Sequence, residues 1–112
     1  MTVVTGATGR TGRRVVETLL AKDERVRAIG RDATRLVPLA KLGAEAFVGN
    51  AEDAASMTAA FDGTSGVYLV LPEDLSQPDL HAHQERVSDS YAVAFAARRL
   101  QEIIWSRWDL GV

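Results

Sequence analysis

Cysteine is absent, which excludes a disulfide framework, thiolate metal ligands and a thiol nucleophile together. Stability must come from an apolar core. An excess of positive charge is also missing: 13 Lys and Arg stand against 15 Asp and Glu, for a net charge of −2 and a pI near 5.6. No global positive field draws such a chain onto nucleic acid or anionic lipid, and neither is an expected partner. No apolar run reaches the roughly 18 residues that a membrane span needs. Met1 runs straight into the strand-like Val3-Val4 without a basic leader or apolar signal segment, so the expected location is cytoplasmic.

Within these limits, 112 residues of which 46% are hydrophobic suit one domain, residues 1–112, with a real core. Short apolar runs alternate with segments of helical period, the pattern of βαβ units. Strands are expected at Thr2–Thr5, Val26–Ile29, Ala44–Val48, Gly66–Leu71 and Glu102–Ser106. Helices are expected at Arg10–Lys22, from Asp32 as N-cap to Leu42, at Glu52–Phe61 and at Leu80–Leu100. Gly43 and Gly63 stand where left-handed residues close helices, and Pro38 should shorten or kink the second helix. Met57, Ala60 and Phe61 should face inward. The fourth strand is almost wholly apolar, as a parallel strand covered on both faces must be, and Pro72 stops it. Right-handed crossovers then give an α/β fold, a three-layer Rossmann-type parallel sheet of about five strands in order 3-2-1-4-5, with ligands expected where the order switches.

Between the first strand and the first helix lies Thr5-Gly6-Ala7-Thr8-Gly9-Arg10-Thr11-Gly12. A phosphate-binding turn belongs at that place. Gly6 would make the tight turn, Gly9 would admit a pyrophosphate close to backbone N–H groups, and Gly12 would let the helix pack on the strand. A P-loop needs a different glycine spacing and a lysine after the second glycine; Arg13 stands there, and no lysine precedes Lys22. A nucleoside triphosphate is thereby disfavoured and a dinucleotide favoured.

The loop GATGRTG, followed by Arg31-Asp32, Gly49-Asn50 and Val70-Leu71-Pro72 in order after strands 2, 3 and 4, resembles the NmrA-like NAD(P)-binding branch of the atypical short-chain dehydrogenase/reductases, over residues 2–106. The resemblance implies NAD(P)(H) binding and an NADPH-dependent oxidoreductase of unknown substrate. It also implies that Asn50 stands where the family often has an aspartate beside the adenine, and that Leu71 and Pro72 border the cofactor ribose. A simple strand end and turn proline is the other explanation of that pair.

The end of the second strand decides between cofactors. NAD enzymes place an acid there to hold the ribose hydroxyls, whereas this chain has Gly30-Arg31. Arg31 would pair with a 2′-phosphate and Arg10 would stack on adenine or add charge, so NADP(H) is favoured. NAD(H) stays open if Arg31 is merely a solvated surface residue and Asp32 meets the ribose. The expected cofactor-binding set is Gly6, Thr8, Gly9, Arg10, Thr11, Gly12, Arg31, Asn50, Leu71 and Pro72.

No catalytic residue is assigned. Tyr68 is followed four places later by Pro72 and Tyr91 by Phe95, so neither forms the Tyr-xxx-Lys dyad of short-chain reductases, and both read as core or helix-face residues. The resemblance implies a substrate lobe that this sequence lacks, and Ser106, which could match a serine of the family, is followed by an unusual Arg107-Trp108. A regulatory module that senses dinucleotide without turnover is therefore the alternative function, with a remnant of the fold a third. His81 and His83 point to different helix faces and are expected at a solvated helix start, not at a metal. The fifth strand, as a sheet edge, carries Ile103-Ile104-Trp105 without a protecting charge; a homodimer through Ile103, Trp105 and Trp108 is expected, or else a truncated longer protein.

Overall fold

The computed structural model describes residues 1–69 and 79–97 with their side chains and the backbone of residues 103–105. In chain order the elements are β1 (Thr2–Val4), α1 (Arg10–Ala21), β2 (Val26–Gly30), α2 (Ala33–Lys41), β3 (Glu45–Val48), α3 (Ala54–Ala60), β4 (Gly66–Leu69), α4 (Leu80–Ala97) and β5 (Ile103–Trp105). The strands form one sheet in the order β3-β2-β1-β4-β5, and every pairing is parallel. This is the expected Rossmann-type arrangement, with β1 at its centre.

The pleat sends successive side chains to opposite faces, so each strand feeds two separate cores. Val3, Ile29, Val67 and Leu69 face α3 and α4 and pack with Met57, Phe61, Val87, Tyr91 and Ala94. Val4, Ala28 and Tyr68 face α1 and α2 and pack with Val15, Val16, Leu36 and Leu39. Helices on both faces explain why β1 and β4 are buried throughout rather than alternating. Met57, Ala60 and Phe61 are all fully buried, as their spacing predicts.

Helix ends follow local chemistry. Asp32 caps α2 by accepting from the Thr34 N–H at 2.9 Å, and Asp53 caps α3 through the Ala55 N–H at 3.0 Å. The third helix therefore starts at Ala54, after the Glu52 given by sequence period. Gly43 and Gly63 both have positive φ; at Gly43 the N–H bonds Ala40 O and the next N–H, of Ala44, bonds Leu39 O, a Schellman closure. The same closure ends α1, but on Asp23 with φ +61, a position that no glycine marks in the sequence. Pro38 sits inside α2, and the helix nevertheless continues to Lys41.

Edge strand β3 is mostly exposed. Arg27 of β2 secures it from below: Nη1 donates to Ala60 O at 2.7 Å and to Asp62 O at 2.6 Å, while Nε lies 3.3 Å from Glu45 Oε2. Among the described residues no helix is long and apolar enough to cross a membrane.

Candidate functional site

Three connections leave the carboxyl ends of β1, β2 and β3, and they carry all but Leu71 and Pro72 of the cofactor-binding set expected from the sequence. The first begins at Thr5, fully buried, whose N–H donates to Tyr68 O at 3.0 Å and whose hydroxyl donates to the same oxygen at 3.4 Å. Gly6 then turns the chain with φ +59, a left-handed value that favours glycine. The Ala7 N–H reaches across to Ile29 O at 3.0 Å, and the Gly9 N–H returns to Gly6 O at 3.1 Å. The loop is thus tied to β4 on one side and β2 on the other.

Its glycines do different work. A Cβ on Gly12 would stand 2.0 Å from Gly6 O and 2.9 Å from Ala7 Cα, so the first turn of α1 presses directly on the turn before it. A Cβ on Gly9 would meet nothing closer than Gly6 O at 3.4 Å, and Gly9 has an extended conformation with φ −78 that any residue adopts. Nothing inside the protein requires glycine at that position. Gly9 is also the N-cap of α1 and provides no side-chain acceptor. Among the described residues, the N–H groups of Arg10, Thr11 and Gly12 have no acceptor either. An uncapped first turn with open space over its N-cap can take an anion, because the free N–H groups and the helix dipole both favour negative charge.

The family model described as NAD(P)H-binding matches residues 6–106, from the first glycine of this loop to just past β5. The chain belongs to the NAD(P)H-binding family. The expectation drawn from GATGRTG is met at that level. Among solved structures, the chain resembles a triphenylmethane reductase of Citrobacter sp. complexed with NADP(H), with TM-score 0.83 and 24% identity over 95% of this chain and 37% of that one. It resembles an NADPH-dependent quinone oxidoreductase of Escherichia coli complexed with NADPH, with TM-score 0.80 and 24% identity over 94% of this chain and 36% of that one. These two likenesses are likenesses of fold. Sterol demethylase protein B of Methylococcus capsulatus is 39% identical over 67 residues, which are 60% of this chain and 20% of that protein. This chain spans little more than a third of either solved structure and a fifth of that relative.

Those of the expected NAD(P)H-binding residues that are described follow the carboxyl ends of β1, β2 and β3. Thr8 lies over the end of β2, its Cγ2 3.0 Å from where a Cβ on Gly30 would be. Arg10 and Arg31 are exposed, and Thr11 is half-buried in the first turn of α1. Asp32, the residue that would meet the ribose of NAD, has Oδ1 engaged in capping α2. Asn50 follows β3 in a connection held to β2 by the Gly49 N–H on Gly30 O at 2.9 Å. Leu71, Pro72, Ser106 and Trp108 lie outside the described residues.

One expectation needs correcting. His81 is exposed beside Glu85, at 2.9 Å, but His83 is not solvated: its side chain is 5% exposed, with Nδ1 2.7 Å from Glu52 Oε1. The reason is placement: the first turns of α4 pack over the β3–α3 connection, which period alone does not reveal. A carboxylate only accepts, so Nδ1 carries the proton. Arg86 Nε donates to the same Glu52 oxygen at 2.8 Å. Arg86 first, and His83 second, hold the Glu52 carboxyl below its usual range. Among the described residues no group of three His, Cys, Asp or Glu is arranged to hold a metal ion.

Tyr91 is a core residue, as its place in the sequence suggests. It lies 2% exposed against Phe61, with ring centroids 6.4 Å apart. Burial pushes its phenol up to about 12, partly offset by a hydrogen bond with Thr5.

Proposed function

We propose that this chain binds NADP(H), with the pyrophosphate on the Gly6–Gly12 loop, and forms the cofactor-holding part of a reductase. The observation that carries this is the open first turn of α1: three amides without acceptors above an N-cap glycine that the fold itself does not require. Such a turn neutralises a diphosphate without a lysine or a metal. Gly6 and Gly12 shape the cradle, Gly9 leaves it open, and Thr8, Arg10 and Thr11 line it. Leu71 and Pro72 border the cofactor ribose.

NADP(H) is favoured over NAD(H) because a cation, Arg31, follows β2 and the neighbouring carboxylate already caps a helix. Arg10 adds a second cation, and Asn50 faces the adenine. That structures of this fold are complexed with NADP(H) or NADPH supports the same choice.

Bound NADPH would supply hydride, and the protein would contribute orientation. A second function, non-catalytic dinucleotide sensing, is favoured by one fact: Tyr91 is sealed in the core with its proton held to about pH 12, and Tyr68 is buried as well. Neither tyrosine is open to a substrate. We take the chain to be one domain, residues 1–112, cytoplasmic, and dimeric through β5 with Ile103, Trp105 and Trp108. Titration with NADPH and NADH, followed by absorbance with quinones and aldehydes, tests the proposal. NADPH binding with turnover supports the reductase and binding alone the sensor. No binding of either cofactor discards both.

A further inference from the structure

Between β3 and α3 the chain makes a short connection, Gly49 to Asp53, whose internal bonds leave Asn50 with one open group. The Asn50 N–H donates to Ser56 Oγ at 3.1 Å, and its carbonyl accepts from the Asp53 N–H at 3.0 Å. Its side-chain oxygen accepts from the Glu52 N–H at 3.0 Å. The Nδ2 group has no partner among the described residues, and Asn50 is exposed. The amide is therefore turned with its oxygen inward and its donor outward.

Glu52, which makes that turn, is itself gripped from outside the connection. His83 and Arg86 are three residues apart on α4 and share a face. Both reach the single oxygen Oε1, at 2.7 Å and 2.8 Å. One arm of this grip is buried and the other is 54% exposed. The connection is thereby fastened to α4 as well as to β2.

We propose that Glu52, held by His83 and Arg86, is a positioning residue that fixes the Asn50 amide as a hydrogen-bond donor to an acceptor nitrogen of the cofactor's adenine ring. This rests on the dinucleotide-binding function proposed above and adds to it how α4 takes part. The orientation is set by the backbone N–H of residue 52, which claims the amide oxygen, and the grip of His83 and Arg86 on the Glu52 side chain fixes where that N–H stands. A free asparagine presents either end and loses entropy on choosing one.

The test is a double-mutant cycle on the whole chain, with NADPH as the titrated ligand. Asn50→Ala and Glu52→Ala should each weaken NADPH about fivefold, the worth of one ordinary hydrogen bond. The double variant should be no weaker than Asn50→Ala alone, because Glu52 acts only through Asn50. Losses that multiply, or a Glu52→Ala chain that binds like the parent, would overturn the proposal. If Glu52→Ala does not fold, Arg86→Ala, on the exposed arm, takes its place in the cycle. The Asn50 side-chain NH2 resonances provide a readout without cofactor: they should sharpen toward a mobile amide in Glu52→Ala, and unchanged order would likewise overturn the positioning. A parent chain that fails to bind NADPH while its Asn50 amide stays ordered would count against the dinucleotide function and not against the grip of Glu52 on Asn50.

Discussion

At Gly12 a single missing methyl group sets the distance between α1 and the turn that precedes it. Gly12→Ala forces a Cβ to 2.0 Å from backbone oxygen; neither the helix nor the turn can yield cheaply, and overpacking of this kind costs about 1–3 kcal/mol. The expected outcome is a clear drop in the thermal midpoint together with loss of NADPH binding. Gly9→Ala should behave differently, since its Cβ would sit at ordinary contact distance. Its stability should stay within about 1 kcal/mol of the parent, while NADPH affinity falls at least about tenfold, or 1.4 kcal/mol, as the methyl group occupies the anion's place. A Gly9→Ala chain that binds as tightly as the parent would remove the pyrophosphate from this turn. Arg31→Ala should weaken NADPH much more than NADH in parallel titrations; equal losses would take away the 2′-phosphate assignment.

Among the elements, α4 joins the site to the core at two points, Glu52 through His83 and Arg86, and Thr5 through Tyr91. The Tyr91 contact has a pH signature. Its folded pKa of about 12 lies above the ordinary 10, so the stability it represents is complete below pH 10 and is lost as pH rises toward 12, by roughly 3 kcal/mol at most. Denaturant unfolding from pH 9 to 12 should show this decline, and Tyr91→Phe should abolish most of it while losing about 1 kcal/mol at neutral pH with the Thr5 bond. Glu52 runs the other way: its lowered pKa keeps its tie to α4 intact above the normal carboxylate range and releases it as pH falls through the lowered value. The elements themselves were largely legible, because period and capping act locally. Asp32 reads as a cap and behaves as one. Asp23 does not announce its left-handed turn, since that conformation is imposed by the closure of α1 and not by residue type. The dry setting of His83 is hidden for a related reason: two histidines two apart define faces of a helix, but only the packing of α4 over residues 49–53 decides which face is dry. The glycine loop was readable because its chemistry is carried by backbone, and Glu52 was missed because its partners lie 31 and 34 positions away.

For the molecule as a whole, strand order leaves two edges of unlike character. Edge β3 is exposed and carries Glu45, a charge that discourages pairing. Edge β5 has no charge in Ile103-Ile104-Trp105. Light scattering across a concentration series should report a dimer, and Ile103→Lys should return it to monomer; a parent chain that is monomeric at high concentration would eliminate this interface. The central position of β1 has a temporal counterpart. The seat of the glycine loop is closed by the bond from Thr5 to Tyr68, across 63 positions of chain. During synthesis, residues 5–12 must therefore wait until β4 has been made before their seat can close.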